Sequence, residues 1–448
     1  MPKGLSFKLI LISLLFSFSV LIALPKIPVK VDFSILKLDS YLGGYEIKIP
    51  QKDGERVIDL TDFKRSSETG ESQKLTFKLK DENIENKQEV LESIYEISEK
   101  RLNLAGINDY RIGIENEDTL VVVVPSHQTF ERISNLILGN GKVTFKSIIE
   151  ADTWKPEDYV NFYTDMGRWQ DTGITDADLK GFLYSIDPTT GAPSLQLSFT
   201  PEGRQRFYEI AAENIGLPIA VYVNGYEYPL LMPVISDNIL DNTSLDPSVG
   251  GGFDQQSISD LNMQMKNPLP YDLSYIENTT LEPLLGSDFL YSYATSFGIG
   301  LILVFIFFVF KFKLFGILYN LSLLISLSLF FSLVKIFSIS VSPSLVVGTV
   351  LITVIMSSFG YDIFSRMKKE LKEDKPFSFV IQKVFEKEKD IVSIPSIFIF
   401  SFSVVSSLFL KGEARVLSSI ISTGMLSVIY FYAIVFPTLV ESFGGYKK

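Results

Sequence analysis

Six stretches of this 448-residue chain are apolar for long enough to dictate their own surroundings. They cover residues 5–24 and then about 291–310, 314–334, 341–364, 391–410 and 416–440. Each has the roughly 20 apolar residues that a helix needs to cross a hydrocarbon core. Backbone amides must pair within their own segment in such a medium, so each run has to be a helix. For the first run a cleaved leader is the rival reading. The run is long for a leader, and "IALPK" (Ile22 to Lys26) lacks a small-x-small cleavage pattern, so a retained anchor is expected.

The stretch between the first two runs is of another kind. Residues 25–290 hold 24 Lys and Arg against 43 Asp and Glu, a net of -19, while the remainder holds 17 against 9, a net of +8. Lys3 and Lys8, Lys311 and Lys313, the crowd from Arg366 to Lys389, and Lys447 and Lys448 all fall on one side if the runs alternate. Basic loops stay inside, so that side is cytoplasmic. Only Lys335, Lys411 and Arg415 lie opposite. The expectation is six spans, both termini cytoplasmic, and one large acidic domain outside. An acidic outer domain argues against a nucleic-acid partner, which needs a basic face. With no cysteine and a single histidine, His127, disulfides, thiolate metal sites and paired-histidine metal sites are excluded.

Within residues 26–290, "KQEVLESIYEISEKRLNLAGI" (Lys87 to Ile107) has helical apolar spacing, and "DTLVVVVPS" (Asp118 to Ser126) reads as a buried strand. "QTFERISNLIL" is a second helix ending at Gly139, and "KVTFKSI" a second strand. With "YEIKIP" as an earlier strand, the set predicts a ferredoxin-like α+β layer. A second unit follows. Thr200 is placed to cap a helix that begins at Pro201, and "VNGY" (Val223 to Tyr226) is a hairpin turn. Residues 151–192, rich in Asp, Trp, Tyr and Gly, predict an inserted mobile subdomain. Residues 291–448 form the membrane domain. There is no phosphate loop, nucleophile elbow or acidic metal cluster, so neither an enzyme nor a cofactor is expected.

Several stretches in order resemble the SecD family of preprotein-translocase subunits. They are the glycine pair Gly43 and Gly44 in "LDSYLGGYEIKI", the Arg-x-Asn-x-x-Gly of "RLNLAG" and the "TPEGRQRFYEIAAENIGLPIA" helix. "DLNMQMKNPLPYDLSYIENTTLEPLLG", with Pro283 and Gly286 before the second span, completes the set. The resemblance implies half of a resistance-nodulation-division-like membrane fold and a role in late protein export. Its partners would be a SecF-like subunit, the SecYEG channel, unfolded preprotein and membrane lipid. A standalone transporter half, exporting lipids or small molecules as a dimer, is the alternative.

The resemblance also implies an acid in the fourth span, six residues before the Phe of a Phe-x-Arg ending. That ending is Phe364, Ser365, Arg366, and the matching position is Ser358. Asp362 lies one turn further along. Two readings stay open for it. It either pairs with Arg366 in the headgroup layer, worth only about 0.3–0.5 kcal/mol, or it has taken over a proton-carrying role. In a third reading the coupling sits wholly in the partner subunit. Gly43 and Gly44, with Pro283 and Gly286, are hinge or turn positions. Trp154, Phe162 and Trp169 are contacts for an unfolded chain or a small separate core, and Phe207 and Tyr208 are helix core.

Overall fold

A computed structural model describes residues 3–24, 27–33, 36–42, 45–51, 54–60, 62–81, 83–149, 169–186, 191–240, 246–250, 254–370 and 377–444. After α1 (Lys3–Ala23) come two hairpins, β1 (Ile27–Phe33) with β2 (Leu36–Leu42), and β3 (Tyr45–Gln51) with β4 (Gly54–Leu60). A first α/β unit begins with β5 (Ser72–Leu79), α2 (Lys87–Leu104), β6 (Arg111–Glu115), β7 (Thr119–Pro125) and α3 (Phe130–Leu138). A second unit follows: β8 (Val143–Ile148), β9 (Trp169–Thr175), β10 (Leu179–Ile186), β11 (Pro193–Phe199), α4 (Pro201–Glu213), β12 (Ala220–Val223) and β13 (Ser248–Gly250). Helix α5 (Gln255–Lys266) and strand β14 (Leu273–Leu281) lead into the long helices α6 (Phe289–Phe312), α7 (Leu314–Ile336), α8 (Pro343–Glu370), α9 (Phe377–Phe409), α10 (Gly412–Tyr430) and α11 (Phe436–Gly444). A π turn, Phe431–Val435, joins the last two into one apolar span.

The first unit is a four-stranded sheet in the order β14-β5-β7-β6, with every neighbour antiparallel. Strand alternation turns Leu75, Phe77, Leu120, Val122 and Val124 to one side. There they meet Leu91 and Ile94 of α2 and Ile133 and Leu136 of α3. Two sequence expectations are corrected here, since "YEIKIP" and "KVTFKSI" were both expected in this layer. "KVTFKSI" is β8, which pairs with β9 and β12 in the second unit. "YEIKIP" is β3, and it pairs with β4 in its own hairpin rather than in this sheet. The strand it was expected to supply is β5, whose "SQKLTFKL" alternates apolar and polar residues. The sheet's fourth strand, β14, comes from beyond the second unit, so that unit is inserted between α3 and β14.

The second unit holds two three-stranded sheets, β10-β11-β13 and β12-β8-β9. Helix α4 starts as expected: Thr200 Oγ1 accepts from the Gly203 amide at 3.0 Å, with Pro201 in the first turn. Its Phe207 and Tyr208 are buried, and Phe207 stacks on Phe199 with centroids 5.0 Å apart. Asn224 and Gly225 have φ of 56° and 68°, the pair of left-handed residues that a tight hairpin turn requires. The return strand is reduced to two isolated bridges, Val221 with Leu231 and Pro218 with Val234. Residues 169–186, expected in a mobile insertion, instead form β9 and β10, paired to β8 and β11. Of the rest of that expectation, 151–168 and 187–190 lie outside the described residues, as do Gly43 and Gly44.

Helix α1 packs along α7, burying Ile12 against Ile325, Val435 and Leu439. Its end is fastened by polar groups. Ser332 Oγ donates to the Ser19 carbonyl, and the buried Lys335 Nζ donates to the carbonyls of Ile22 (3.1 Å) and Leu24 (2.9 Å). A cation at a helix C-terminus offsets both the unpaired carbonyls and the dipole. Helices α8 and α10 approach closely where Gly348 faces Ile420 and Gly424 faces Ile352. Small residues permit that closeness, as expected between helices in lipid.

Candidate functional site

Three places bring together polar groups that a packed bundle has no structural need for. The first is a groove of about 560 Å³ between α6 and α8. Helix α8 buries Gly348, Ile352, Met356, Ile363 and Phe364 and exposes Val347, Val350, Val354, Ser358, Asp362 and Arg366. The positions 347, 350, 354, 358 and 362 follow helical spacing, so they form one stripe. Ser358 and Asp362 line the groove together with Ser357 and Tyr361. Lys311, from the last turn of α6, donates to Tyr361 Oη at 3.0 Å and sits 4.3 Å from that ring's centroid. Behind the groove is an aromatic wall. Phe308 stacks on the buried Tyr319 at 3.9 Å between centroids, and Tyr319 Oη bonds Ser357 Oγ at 3.2 Å. The sequence-predicted residues Ser358 and Asp362 are thus brought to one groove, with Arg366 a turn beyond. Lys311 was missed as a neighbour because it belongs to another helix.

The second place is the joint between the two outer units, and Arg101 is its centre. Arg101 is fully buried, and its guanidinium donates to backbone carbonyls only. They are Leu136 (2.9 Å) and Gly139 (2.6 Å) at the end of α3, and Gln264 (3.5 Å) and Asn267 (2.6 and 3.1 Å) at the end of α5. One planar cation therefore caps two helix C-termini at once. Burial lowers its pKa to about 10, so it remains charged near neutral pH. Gln264, Asn224 and Asn135 complete the joint: Asn224 Nδ2 donates to Gln264 Oε1 at 2.6 Å, and Gln264 Nε2 to the Asn135 carbonyl at 2.8 Å. Gly141, at φ +78°, is pressed so closely on the Gln264 backbone that a side chain would not fit. A sequence signal for Arg101 existed, because it sits on the same face of α2 as Leu91, Ile94 and Ser98.

The third place is the seat of the outer domain on the bundle. Segment 64–69 lies along the loop before α8. The Val341 amide donates to the Lys64 carbonyl at 2.7 Å, and the Ser66 amide to the Val341 carbonyl at 3.3 Å. Asn108 accepts from Arg415 at 3.0 Å, and Glu99 from Lys411 at 2.7 Å. The half-buried Asp109 carboxylate accepts from the Ser67 amide and from Ser67 Oγ at 2.9 Å. Pro283 and Gly286 shape the adjoining passage into α6. Gly286, at φ +83°, donates to the Pro283 carbonyl, and Leu285 donates to the Glu68 carbonyl. Of the expected chain contacts, Trp154 and Phe162 lie outside the described residues. Trp169 is 8% exposed and packs with Ile148, Ala220 and Tyr222, so in this conformation it is core and offers no open surface to a passing chain. Among the described residues no group of three or more His, Cys, Asp or Glu is placed to hold a metal ion.

This is a multi-pass membrane architecture, a mixed helix-and-sheet block seated on helices of which, among the described residues, six are long and apolar enough to cross a membrane. No protein-family model matches the chain. Its sequence is 22% identical over 352 residues to the protein translocase subunit SecD of Desulfurispirillum indicum, covering 74% of this chain and 67% of that protein. It is 22% identical over 401 residues to SecD of Rhodobacter capsulatus, covering 85% and 70%. In fold, it superposes over 100% of its length on SecDF in a super-membrane-facing form, with a TM-score of 0.67 at 18% identity. It spans 58% of that SecDF chain. By sequence and by fold the chain is SecD-like.

Proposed function

We propose that the chain is an accessory subunit of a protein-export translocase, acting late in the passage of a preprotein across the bacterial cytoplasmic membrane. The observation that carries this is agreement at two levels: SecD subunits match in sequence over about three quarters or more of the chain, and SecDF matches in fold over all of it. In this reading both termini are cytoplasmic, and the acidic domain of residues 26–290, ferredoxin-like in its first unit, stands outside. The strand order β14-β5-β7-β6 around α2 and α3 supports the ferredoxin-like description.

The exposed stripe of α8 faces a SecF-like subunit, and the SecYEG channel is the site of action. Ser358 occupies the place of the family's acid. Asp362 shares a groove with Ser358 and carries the proton role proposed for this stripe, with Arg366 as its charge partner. Gly43 and Gly44, with Pro283 and Gly286, are the proposed flexible connections between bundle and outer domain. Isolation of the tagged chain from mild detergent tests the reading. A SecF-like subunit and SecYEG should come with it. A chain recovered only with copies of itself would instead support a standalone transporter half.

A further inference from the structure

The seat of the outer domain contains an ionisable group where hydrogen bonds alone would have served. Asp109 projects from the turn after α2 into the contact with segment 64–69 and the loop before α8. Its two oxygens share the Ser67 amide, one of them also accepts from Ser67 Oγ, and the Ser340 side chain lies nearby. Segment 64–69 is itself bound through Val341, so Asp109 is wired by two short steps to the start of α8. The same residue lines a cavity of about 480 Å³ between outer domain and bundle. That cavity runs down past Ser419, Ser422 and Thr423 of α10, which lie about 10–16 Å along the helix from Gly412 at 1.5 Å per residue. Asp109 is therefore both part of the contact and open to proton exchange.

The charges facing Asp109 come from every element around it. Segment 64–69 supplies Lys64 and Glu68, and the turn after β7 supplies His127. Helix α10 supplies Glu413, and further out the Arg415–Asn108 and Lys411–Glu99 contacts join the start of α10 to the outer domain. Arg415 is engaged with Asn108, and Glu413 accepts from Ser344. An ionised Asp109 thus sits near two like charges, Glu68 and Glu413. A neutral carboxyl removes that repulsion and still accepts from Ser67.

We infer that Asp109 is a proton-operated latch: with a proton on its carboxyl the outer domain is held down on the bundle, and without it the seat loosens. Withdrawal from water holds this carboxyl above the usual carboxylate range, against the opposite pull of its bonds to Ser67 and of the nearby Ser340 side chain. The seated state accordingly binds the proton more readily than the unseated one. Seating is strongest below the free carboxylate value and weakens as pH rises through the seated value. His127 works in the opposite sense. Partial withdrawal from water and the Lys64 charge hold its ring below its ordinary value, so seating is opposed when acid charges it. An acidic outer face acting through Asp109 therefore tightens the seat.

The test needs no export and so stands apart from the proposed function. The chain has no cysteine, so spin labels at Glu117→Cys and Leu410→Cys are unique in the full-length protein in lipid nanodiscs. Distances are measured from about pH 4 to 8, the span in which carboxylates and histidine titrate, in a His127→Gln, Glu413→Gln background that removes the opposing arm and the neighbouring carboxylate. The narrow, seated population should fall as pH rises, by no more than about tenfold in its equilibrium constant per pH unit for one proton. Asp109→Asn should abolish that response. Ser67→Ala, which removes a donor to the charged form, should move the transition to higher pH. A seated population indifferent to pH, or the same response in Asp109→Asn, would overturn the latch. Should the asparagine variant not fold, the pH profile of the parent and the direction of the Ser67→Ala shift decide the matter.

Discussion

Replacing Arg101 with methionine is expected to disassemble the outer domain while leaving the membrane helices intact. The substitution keeps much of the apolar stem and removes every donor. Four carbonyls at the ends of α3 and α5 then lose this donor in a place closed to water, and of the four Gln264 keeps the Asn267 amide. Hydrogen bonds from a charged group contribute about 1.5–3 kcal/mol each, and an unsatisfied buried carbonyl costs about 1–3 kcal/mol. These terms overlap, so the whole loss is set at about 3–5 kcal/mol, as for other broken buried ionic contacts. That is a large part of a domain's net stability. Limited proteolysis measures it. The variant should be cut within residues 62–281 under conditions that spare the wild type, and Arg101→Lys should rescue only partly because a point ammonium cannot span two helix ends. Wild-type resistance in the methionine variant would show that the two units hold together without this cap.

Gly424→Val is expected to separate α8 from α10. The glycine faces the Ile352 side chain so closely that a new side chain would occupy the isoleucine's space, and Phe330 closes the other side at 3.6 Å. Ile352 and Phe330 are both fully buried and have no room to retreat. Overpacking of such a contact costs about 1–3 kcal/mol and occasionally more. The variant should lower the melting temperature in detergent. Ile352→Ala combined with Gly424→Val should recover part of the loss, because the two residues share one space. Equal and additive losses in the double variant would mean that the glycine is not a packing device.

Much of the architecture was legible before any coordinates. Apolar length placed all six long helices, because the membrane leaves a long apolar run one way to satisfy its backbone. The Thr200 cap and the Asn224–Gly225 turn were legible for local reasons: a side-chain acceptor and two left-handed residues act within four positions of themselves. What escaped was non-local. Strand β14 joins β5 across nearly two hundred residues, and its exposed, polar run lacks the apolar alternation that marks a buried strand. Residues 169–186 looked like a mobile insertion on composition, yet Trp169 and Phe182 supply core contacts that only pairing with β8 and β11 reveals. In the site, Asp362 stood out as the one acid in an apolar run and Ser358 through the family resemblance, and their four-residue spacing put them on one helix face. Asp109 was not singled out and Arg101 appeared only as the first residue of a family motif, since their importance comes from what lies opposite: a loop before α8 for one, and two helix ends for the other.

The central claim is that this chain assists protein export, and export itself is the direct measurement. Membrane vesicles containing SecYEG and a SecF-like subunit, with or without this chain, would be followed for completion of preprotein translocation, with the proton gradient imposed and then collapsed. The account predicts that the chain raises the yield of fully translocated preprotein. It also predicts that the gradient adds to that yield in the wild type, and that Asp362→Asn removes the added part. Equal yields with and without the chain would contradict the export function. A gradient response unchanged by Asp362→Asn would leave export standing and contradict the proton role of the α8 groove.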